Sequence, residues 1–158
     1  MKRILQLSVI LLLGACSSHQ DESLEAVFGR ENEHFQGVSI GDKHVNVVKK
    51  VAGTITTDNE SGIASAFDVN DVSVTVQYEF ENEKLYSIQA DLFFPDTAAL
   101  NSFEQSLIGF YDQEFGEMTE NGGFFVWHEN NQVEFTLADE SIEFGQPKLS
   151  LTIYNFDY

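Results

Sequence analysis

The chain has 158 residues, which fits one ordinary domain, and its 26 acidic residues outnumber 8 basic ones to give a formal charge of −18. An acidic surface of this kind is a poor match for nucleic acid and for anionic lipid headgroups, so neither is expected as a partner. Hydrophobic residues make up 42% of the chain, and 14 residues are Phe. This composition supports a folded core and excludes an acidic disordered tail.

The N-terminus is typical of a secretory signal peptide. A Lys2-Arg3 pair precedes an apolar run, residues 4–15, that is interrupted by two polar residues. The run is too short to be a transmembrane helix, which needs roughly 20 apolar residues. A basic start, a short apolar core and small residues before a cleavage site are instead the features of an exported protein. We therefore expect residues 1–15 to be removed.

The signal ends in Leu13-Gly14-Ala15-Cys16, and Cys16 is the only cysteine of the chain. This sequence resembles the bacterial lipobox, where a peptidase cuts before a cysteine that carries diacylglycerol. The resemblance implies that Cys16 becomes an N-terminus modified with acyl chains such as palmitate, which anchor the protein in a membrane. Because Ser17 stands where Asp would retain a Gram-negative lipoprotein in the inner membrane, it also implies the outer membrane, on the periplasmic side. An ordinary signal peptide followed by a free cysteine is the alternative.

Beyond the cleavage site, residues 16–23 are polar and predict a tether, and residues 24–158 are expected to form a single globular α+β domain. The next long pattern, GDKHVNVVKKVAG, predicts a helix that Asp42 caps at its start and Gly53 ends. A shorter helical piece is expected before it. The apolar residues of that piece are Leu24, Val27 and Phe28.

The period of the apolar residues changes to two after this helix. A loop, TTDNESG, is followed by the weak strand IASAFDV and then by VSVTVQYEF, in which apolar and polar residues alternate strictly. Asn82-Glu83 predicts a turn, and KLYSIQADLFF returns as the antiparallel partner. The residues of this partner that are expected to face the core are Tyr86, Ile88, Ala90, Leu92 and Phe94.

A second helix and three more strands complete the chain. Asp96 is expected to cap the helix TAALNSFEQSLIGFYDQEF, and Gly116 to end it. The strands are GFFVWHE, QVEFTLA and KLSLTIYNF, with Asn130-Asn131 as a hairpin turn between the first two. This order predicts an α+β fold, an antiparallel sheet of about six strands with two helices on one face. It is also compatible with a duplicated α-β-β-β unit.

The helix SIGDKHVNVVKKVAG followed by a β-meander resembles two related families. One is the small lipoprotein subunit of the outer-membrane β-barrel assembly machinery, and the other is the secreted β-lactamase-inhibitor proteins. The resemblance implies a helix-plus-meander fold and a protein that binds other proteins without catalysis. It implies no binding residues, because Gly41-Asp42-Lys43 replaces the Gly-Met-Thr of the family pattern and residues 54–80 lack its Trp-Tyr strand.

No motif of catalysis is present in the sequence. The four His residues lack the spacing of a zinc site, and there is no Gly-x-Ser-x-Gly elbow or phosphate-binding glycine loop. The acidic loops Asp58–Gly62 and Asp68–Asp71 carry oxygen ligands that calcium prefers, but neither has the full twelve-residue pattern. Solvated turns are therefore favoured, and we expect no enzyme activity, no metal and no cofactor.

Two groups of residues are candidates for binding a protein partner. In GGFFVWHENN, an exposed aromatic anchor is one interpretation, and packing of the Trp against the second helix is the other. The aromatic candidates are Phe124, Phe125 and Trp127. The acidic residues Glu79, Glu81 and Glu83 are candidates for the docking rim of a basic partner, or else form a solvated face.

Three functions follow as hypotheses. The first is a non-enzymatic outer-membrane lipoprotein that binds another cell-envelope protein as an accessory subunit. The second is an acidic inhibitor or immunity protein that neutralises a basic secreted hydrolase, since removal of Lys2 and Arg3 leaves 6 basic and 26 acidic residues, a formal charge of −20. The third is an envelope protein that binds or hydrolyses a small ligand in a cavity.

Overall fold

The computed structural model describes residues 24–29 and 34–156. The predicted signal peptide (residues 1–15), the lipidation site Cys16 and the tether (residues 16–23) lie outside the described residues. The elements in chain order are a helical segment over residues 24–28, α1 (His44–Lys50), β1 (Thr54–Asn59), β2 (Gly62–Val69), β3 (Val72–Glu81), β4 (Lys84–Phe93), α2 (Thr97–Phe115), β5 (Thr119–Asn121), β6 (Phe124–Glu129), β7 (Val133–Asp139), α3 (Ser141–Phe144) and β8 (Lys148–Asn155).

The strands form one open antiparallel sheet in the order β1-β2-β3-β4-β8-β7-β6-β5. Each group of four strands runs from an edge of the sheet to its centre, where β4 pairs with β8. The α+β class and the antiparallel pairing are confirmed, but the predicted six strands are wrong, because the sheet has eight. The two extra strands are the edges: β1 is exposed at every position and β5 has 3 residues, so neither carries an apolar alternation.

One face of the sheet is buried under helices and holds the core. β3 alternates strictly between buried and exposed residues, as its sequence predicts. α2 packs its apolar side on this face, and the ring of Tyr111 lies 5.2 Å from the rings of both Trp127 and Phe135. The helical segment over residues 24–28 joins the same core, because the Phe28 ring stacks 6.1 Å from Phe103. α1 closes one end, with the His44 ring 4.7 Å from Phe80.

The predicted helix caps differ in outcome. Asp96 caps α2 as expected, since its Oδ1 accepts the N–H of Ala99 at 2.8 Å. Asp42 does not cap α1. The helix begins at His44, so Lys43 holds the capping position, and no side chain forms a capping hydrogen bond. The Asp42 carboxylate instead accepts from Lys50 Nζ at 3.0 Å and so ties the end of the helix to its start.

A β-bulge changes the predicted pattern of β4. Glu79 pairs with Ser87 but Phe80 pairs with Leu85, so Tyr86 is the extra residue in its strand. Leu85 therefore takes the buried position, and the prediction that Tyr86 faces the core is wrong. The other four residues of that prediction, Ile88, Ala90, Leu92 and Phe94, are buried.

The chain leaves α1 through Gly53, whose φ of 76° favours glycine. A Cβ at this position would collide with the carbonyl oxygen of Ala66 and with Phe67. The close approach of Gly53 to β2 is what lets β1 join the sheet directly after the helix.

Candidate protein-binding face

In the part of the chain that the structure describes, the face of the sheet opposite the core carries mostly exposed and half-buried residues, and we call it the open face. At its centre, one row of polar residues crosses the four middle strands in register. Its members are Gln77, Gln89, Thr152 and Thr136. Both glutamines are exposed and both threonines are half-buried, so the centre of the open face offers hydrogen-bonding groups to solvent. The two ends of the face carry more specific chemistry.

At one end, the side chain of Lys148 is almost fully enclosed, with a relative exposure of 2%. Its Nζ lies 2.7 Å from Glu140 Oε2 and 3.2 Å from Asp91 Oδ2. The same ammonium lies 3.5 Å from the centre of the Phe144 ring and 5.7 Å from that of Phe93. These five residues, which we call the Lys148 cage, hold one cation with two carboxylates and two aromatic rings.

The short helix α3 closes the Lys148 cage. Asp139 Oδ1 accepts the N–H of Ser141 at 2.8 Å, and the Ser141 hydroxyl accepts the N–H of Lys148 at 3.0 Å. These bonds fold the β7–β8 connection over the open face, which brings Phe144 onto the ammonium. Burial works against the charge of Lys148, but the hydrogen bonds from its ammonium to Glu140 and Asp91 outweigh burial and raise the pKa of this lysine.

At the other end is a shallow cavity of about 620 Å³, which we call the tyrosine cavity. Its lining residues are Phe80, Glu81, Tyr86, Tyr154, Asn155 and Phe156. The bulge of β4 places Tyr86 here, and alternation along β8 turns Tyr154 away from the core. The lining therefore combines aromatic rings with a carboxylate.

Both tyrosines of the cavity donate their hydroxyl proton to a glutamate. Tyr86 donates to Glu79 at 3.0 Å, and Tyr154 donates to Glu134 at 2.7 Å. These bonds to carboxylates, together with partial burial, raise the pKa of each tyrosine, so both phenols stay neutral at physiological pH. His128 Nε2 lies 3.1 Å from Glu134 and extends the polar network toward the sheet edge.

The two sites lie at opposite ends of the central strand pair. Phe93 and Lys148 form the register pair at one end of β4–β8, and Ser87 and Tyr154 form the pair at the other end. Each site therefore draws on both four-strand halves of the sheet. The polar row of Gln77, Gln89, Thr152 and Thr136 runs between them.

The acidic candidates of the sequence come together beside the tyrosine cavity. Glu79 and Glu81 are exposed on the open face, where Glu79 accepts from Tyr86 and Glu81 lines the cavity. Glu83 lies in the β3–β4 turn with a φ of 66°, and its carbonyl oxygen accepts the N–H of His44 at 3.1 Å. It is exposed at the tip of the hairpin and not among the residues that line the cavity.

The aromatic candidates do not form one surface. The side chain of Trp127 has 2% exposure, and its Nε1–H donates to Asp112 at 2.8 Å, so it is a core residue that packs against α2 and not an exposed anchor. Phe125 is half-buried beside the core. Phe124 is 47% exposed and pairs with Ala138, which places it on the open face near α3 and away from the tyrosine cavity.

Sequence reasoning missed Tyr86, Tyr154 and Lys148 as site residues. For Tyr154 a signal was present, because alternation from Leu149, Leu151 and Ile153 turns it to the polar face. Tyr86 was hidden by the bulge. The enclosure of Lys148 depends on α3, a helix of 4 residues with no apolar period of its own.

The two acidic loops are occupied by hydrogen bonds within the chain. Asp58 lies 3.0 Å from His44 Nε2, the Asn59 side chain accepts from Ser61, and Asp68 accepts from the Ser73 hydroxyl at 2.6 Å. Within residues 24–29 and 34–156, no group of three or more His, Cys, Asp or Glu side chains is arranged to hold a metal ion.

Comparison with known proteins gives no further guide to the site. The chain matches no protein-family model, no curated protein and no solved structure. Among the helices of the described part, none combines the length and the hydrophobicity that crossing a bilayer requires.

Proposed function

We propose that this chain is a non-enzymatic lipoprotein that binds a basic protein of the cell envelope through its open face. The observation that carries the proposal is the group of carboxylates around the tyrosine cavity. Glu79, Glu81 and Glu134 lie together there and contact or flank two tyrosines. Acidic residues beside aromatic rings are suited to a basic partner, because they combine long-range attraction with apolar contact.

The lysines on the open face offset these charges only in part. Among the described residues, Lys148 is enclosed and already balanced by two carboxylates, whereas Lys84 lies directly opposite Glu81 and offsets that one charge, which leaves Glu79 and Glu134 without a lysine opposite them in the sheet. Approach of a basic protein is therefore favoured and approach of an acidic one is disfavoured. Long-range attraction of this kind speeds association and weakens as salt is added.

In this proposal, Cys16 carries acyl chains that hold the protein on the periplasmic side of the outer membrane, and residues 16–23 give the domain some reach. The partner is an envelope protein that the chain serves as an accessory subunit. A basic secreted hydrolase that the chain inhibits is the second candidate, and the acidity of the open face is what favours it.

The test is a crosslinked pull-down of the lipidated, tagged full chain from native envelopes, washed at low and at high salt. The Glu79→Gln/Glu81→Gln variant is compared with Glu114→Gln/Glu117→Gln, which has the same net charge but alters exposed residues outside the open face. We expect the control variant to recover a basic protein and the Glu79→Gln/Glu81→Gln variant to lose it. Equal recovery by both variants, or capture of an acidic protein, would contradict the proposal.

The salt wash and a Cys16→Ser variant sharpen the outcome. Because attraction through the carboxylates weakens with salt, we expect less recovery after the high-salt wash for both candidates. Recovery of a membrane complex supports an accessory subunit, and recovery of a secreted hydrolase supports inhibition. We expect Cys16→Ser to leave the protein soluble or unprocessed. Fractionation of that variant with the outer membrane after a salt wash would show that a lipid anchor is not what holds the chain there.

We also infer that the sheet arose by duplication of one helix-plus-meander unit. α1 precedes β1–β4, α2 precedes β5–β8, and both groups of strands run from edge to centre. The unit then has four strands instead of the three expected from the sequence. A circular permutant that begins at Asp96 and ends at Phe94 keeps both units whole, so it should unfold cooperatively; failure to fold with any linker length would oppose the duplication.

A further inference from the structure

We infer that the basic partner crosses the open face with an extended segment that carries two positive charges four residues apart, an inference that rests on the proposed function. The observation behind it is the position of two carboxylates in one register row of the sheet. Glu79 of β3 pairs with Ser87 of β4. Tyr154 of β8 connects Ser87 to Glu134 of β7, because it pairs with both. Paired residues lie on the same face of a sheet, so both carboxylates belong to the open face.

Glu79 is an exposed carboxylate that a hydrogen bond holds in place. It accepts the hydroxyl proton of Tyr86 at 3.0 Å. Its register partners are Gly62 and Ser87, so no lysine lies opposite it in the sheet. The charge of Glu79 is therefore accessible to a cation that approaches from solvent.

Glu134 is the second carboxylate that is held in place. Its Oε1 accepts the hydroxyl protons of Tyr154 at 2.7 Å and Thr136 at 3.2 Å, and its Oε2 lies 3.1 Å from Nε2 of His128. A carboxylate has about four acceptor sites, so these contacts leave one site on Oε2. Tyr154 and His128 are also its register partners, so Glu134 has no lysine opposite it. With 21% of its side-chain surface exposed, it can still receive a cation.

The distance between the two carboxylates selects an extended segment. β3 and β7 are separated by β4 and β8, so three strand spacings of about 4.8 Å put the Cα atoms of Glu79 and Glu134 about 14 Å apart. An extended chain advances about 3.4 Å per residue and turns alternate side chains to the same side. Side chains four residues apart in such a chain are therefore also about 14 Å apart. In an α-helix the same separation spans about 6 Å, which is too short.

The groups beside the two carboxylates suit a peptide backbone. The polar row of Gln77, Gln89, Thr152 and Thr136 lies two residues along the strands from the row of the carboxylates, or about 7 Å away. Its two glutamines are exposed, and each amide group both donates and accepts hydrogen bonds. The N–H and C=O groups of an extended segment need both kinds of partner. The open face therefore offers uncharged hydrogen-bonding contacts next to two fixed negative charges.

The test uses the ¹⁵N-labelled full chain in detergent at low salt and two peptide probes of identical composition. In acetyl-Lys-Thr-Thr-Thr-Lys-amide the lysines are four residues apart, and in acetyl-Thr-Lys-Thr-Lys-Thr-amide they are two residues apart. We expect the first peptide to bind at least about threefold more tightly, because its extended form places an ammonium beside each carboxylate. The chemical-shift changes should include Glu79, Gln89, Thr152 and Glu134. Equal binding, tighter binding of the second peptide, or shifts confined to other parts of the chain would overturn the inference.

Variants locate the effect on the two carboxylates. Glu79→Gln and Glu134→Gln each remove one charge but keep a side chain of the same size that can still accept the tyrosine proton. Each should weaken binding of the first peptide by about threefold and so bring it to the affinity of the second peptide. Asp68→Asn is the matched control, because Asp68 is an exposed carboxylate that pairs with Ser73 in a different row. A difference between the peptides that persists in Glu79→Gln, or that disappears in Asp68→Asn, would contradict the inference.

The inference and the proposed function can fail separately. If the pull-down recovers a basic protein but the two peptides bind equally, the extended segment is wrong and the proposed function stands. If the peptides differ as expected but no basic protein is recovered, the inference stands as a binding property of the open face and the proposed function is overturned.

Discussion

The two ends of the open face carry the same kinds of groups but use them differently. In the Lys148 cage, the chain supplies its own cation and covers it with Phe144. In the tyrosine cavity, Tyr154, Phe156 and Glu81 are among the residues that line a shallow depression, and none of its lining residues is a lysine or an arginine. The first end stabilises the fold, and the second end is the one that we propose for binding a partner.

The difference between the ends has a cause in the connections between strands. β3 and β4 are joined by the two-residue turn Asn82-Glu83, with φ values of 51° and 66°, which is too short to reach back over the sheet. The β7–β8 connection is longer and contains α3, which is followed by Gly145 with a φ of 69°. Extra residues in one connection are therefore what cover one end of the open face.

The largest expected effect on the free energy of unfolding comes from removing the ammonium of Lys148. Lys148→Met should lower the free energy of unfolding by about 2 kcal/mol, because Glu140 and Asp91 lose their common partner but keep some contact with water. Lys84→Met, which changes an exposed lysine on the neighbouring strand, is the control and should have little effect. Urea unfolding measures both, and equal midpoints would show that the cage contributes nothing to stability.

The next effect is a loss of stability at alkaline pH. The pKa of Lys148 is raised above 10.5 in the folded protein, so its contribution is complete below that pH and is lost as pH rises through the folded value. The raised pKa values of Tyr86 and Tyr154 act in the same direction from pH 10.0, since unfolding lets both phenols ionise more easily. The free energy of unfolding should therefore fall above about pH 10.

Urea unfolding at a series of pH values checks this expectation. Lys148→Met should show a shallower alkaline loss than the unmodified chain, because one of the titrating groups is gone. An identical pH profile for the two proteins would contradict the role given to the Lys148 ammonium.

The smallest effect is expected at the tyrosine cavity. Tyr154→Phe removes the hydroxyl bound to Glu134 but keeps the ring, and it should cost about 1 kcal/mol because the bond is only partly buried and water can replace the lost donor. Tyr86→Phe is the matched variant, with Glu79 as the partner that is lost. Urea unfolding measures both. A loss as large as that of Lys148→Met would mean that this end also serves the fold.

Much of the fold could be predicted because its central elements follow the physical periods of helix and strand. β3 alternates at every position, and α2 repeats apolar residues between a capping Asp96 and a terminating Gly116. The edges could not be predicted in this way. β1 is exposed on both sides, so its residues carry no alternation and its place in the sheet depends on pairing with β2.

The candidate site was only partly accessible from the sequence. Glu79 and Glu81 were found because acidic residues at alternate positions of a strand lie on one face. Their tyrosine neighbours come from other strands: Tyr86 through a bulge, which no local pattern marks, and Tyr154 through the pairing of β8 with β4. Contacts between distant segments depend on register, and register is a property of the whole sheet.

The pairing of β4 with β8 has a consequence for how the chain folds. Every other neighbouring pair in the sheet joins strands that follow each other in the sequence, whereas this pair brings Ser87 to Tyr154. Closing such a long loop lowers the chain entropy before the new contacts stabilise the pair. We therefore expect this step to limit the refolding rate. In stopped-flow refolding, Leu151→Ala should then slow folding more than Ile63→Ala in the β2–β3 hairpin. We therefore expect the central strand pair, which is flanked by strands on both sides in the folded sheet, to form late during folding.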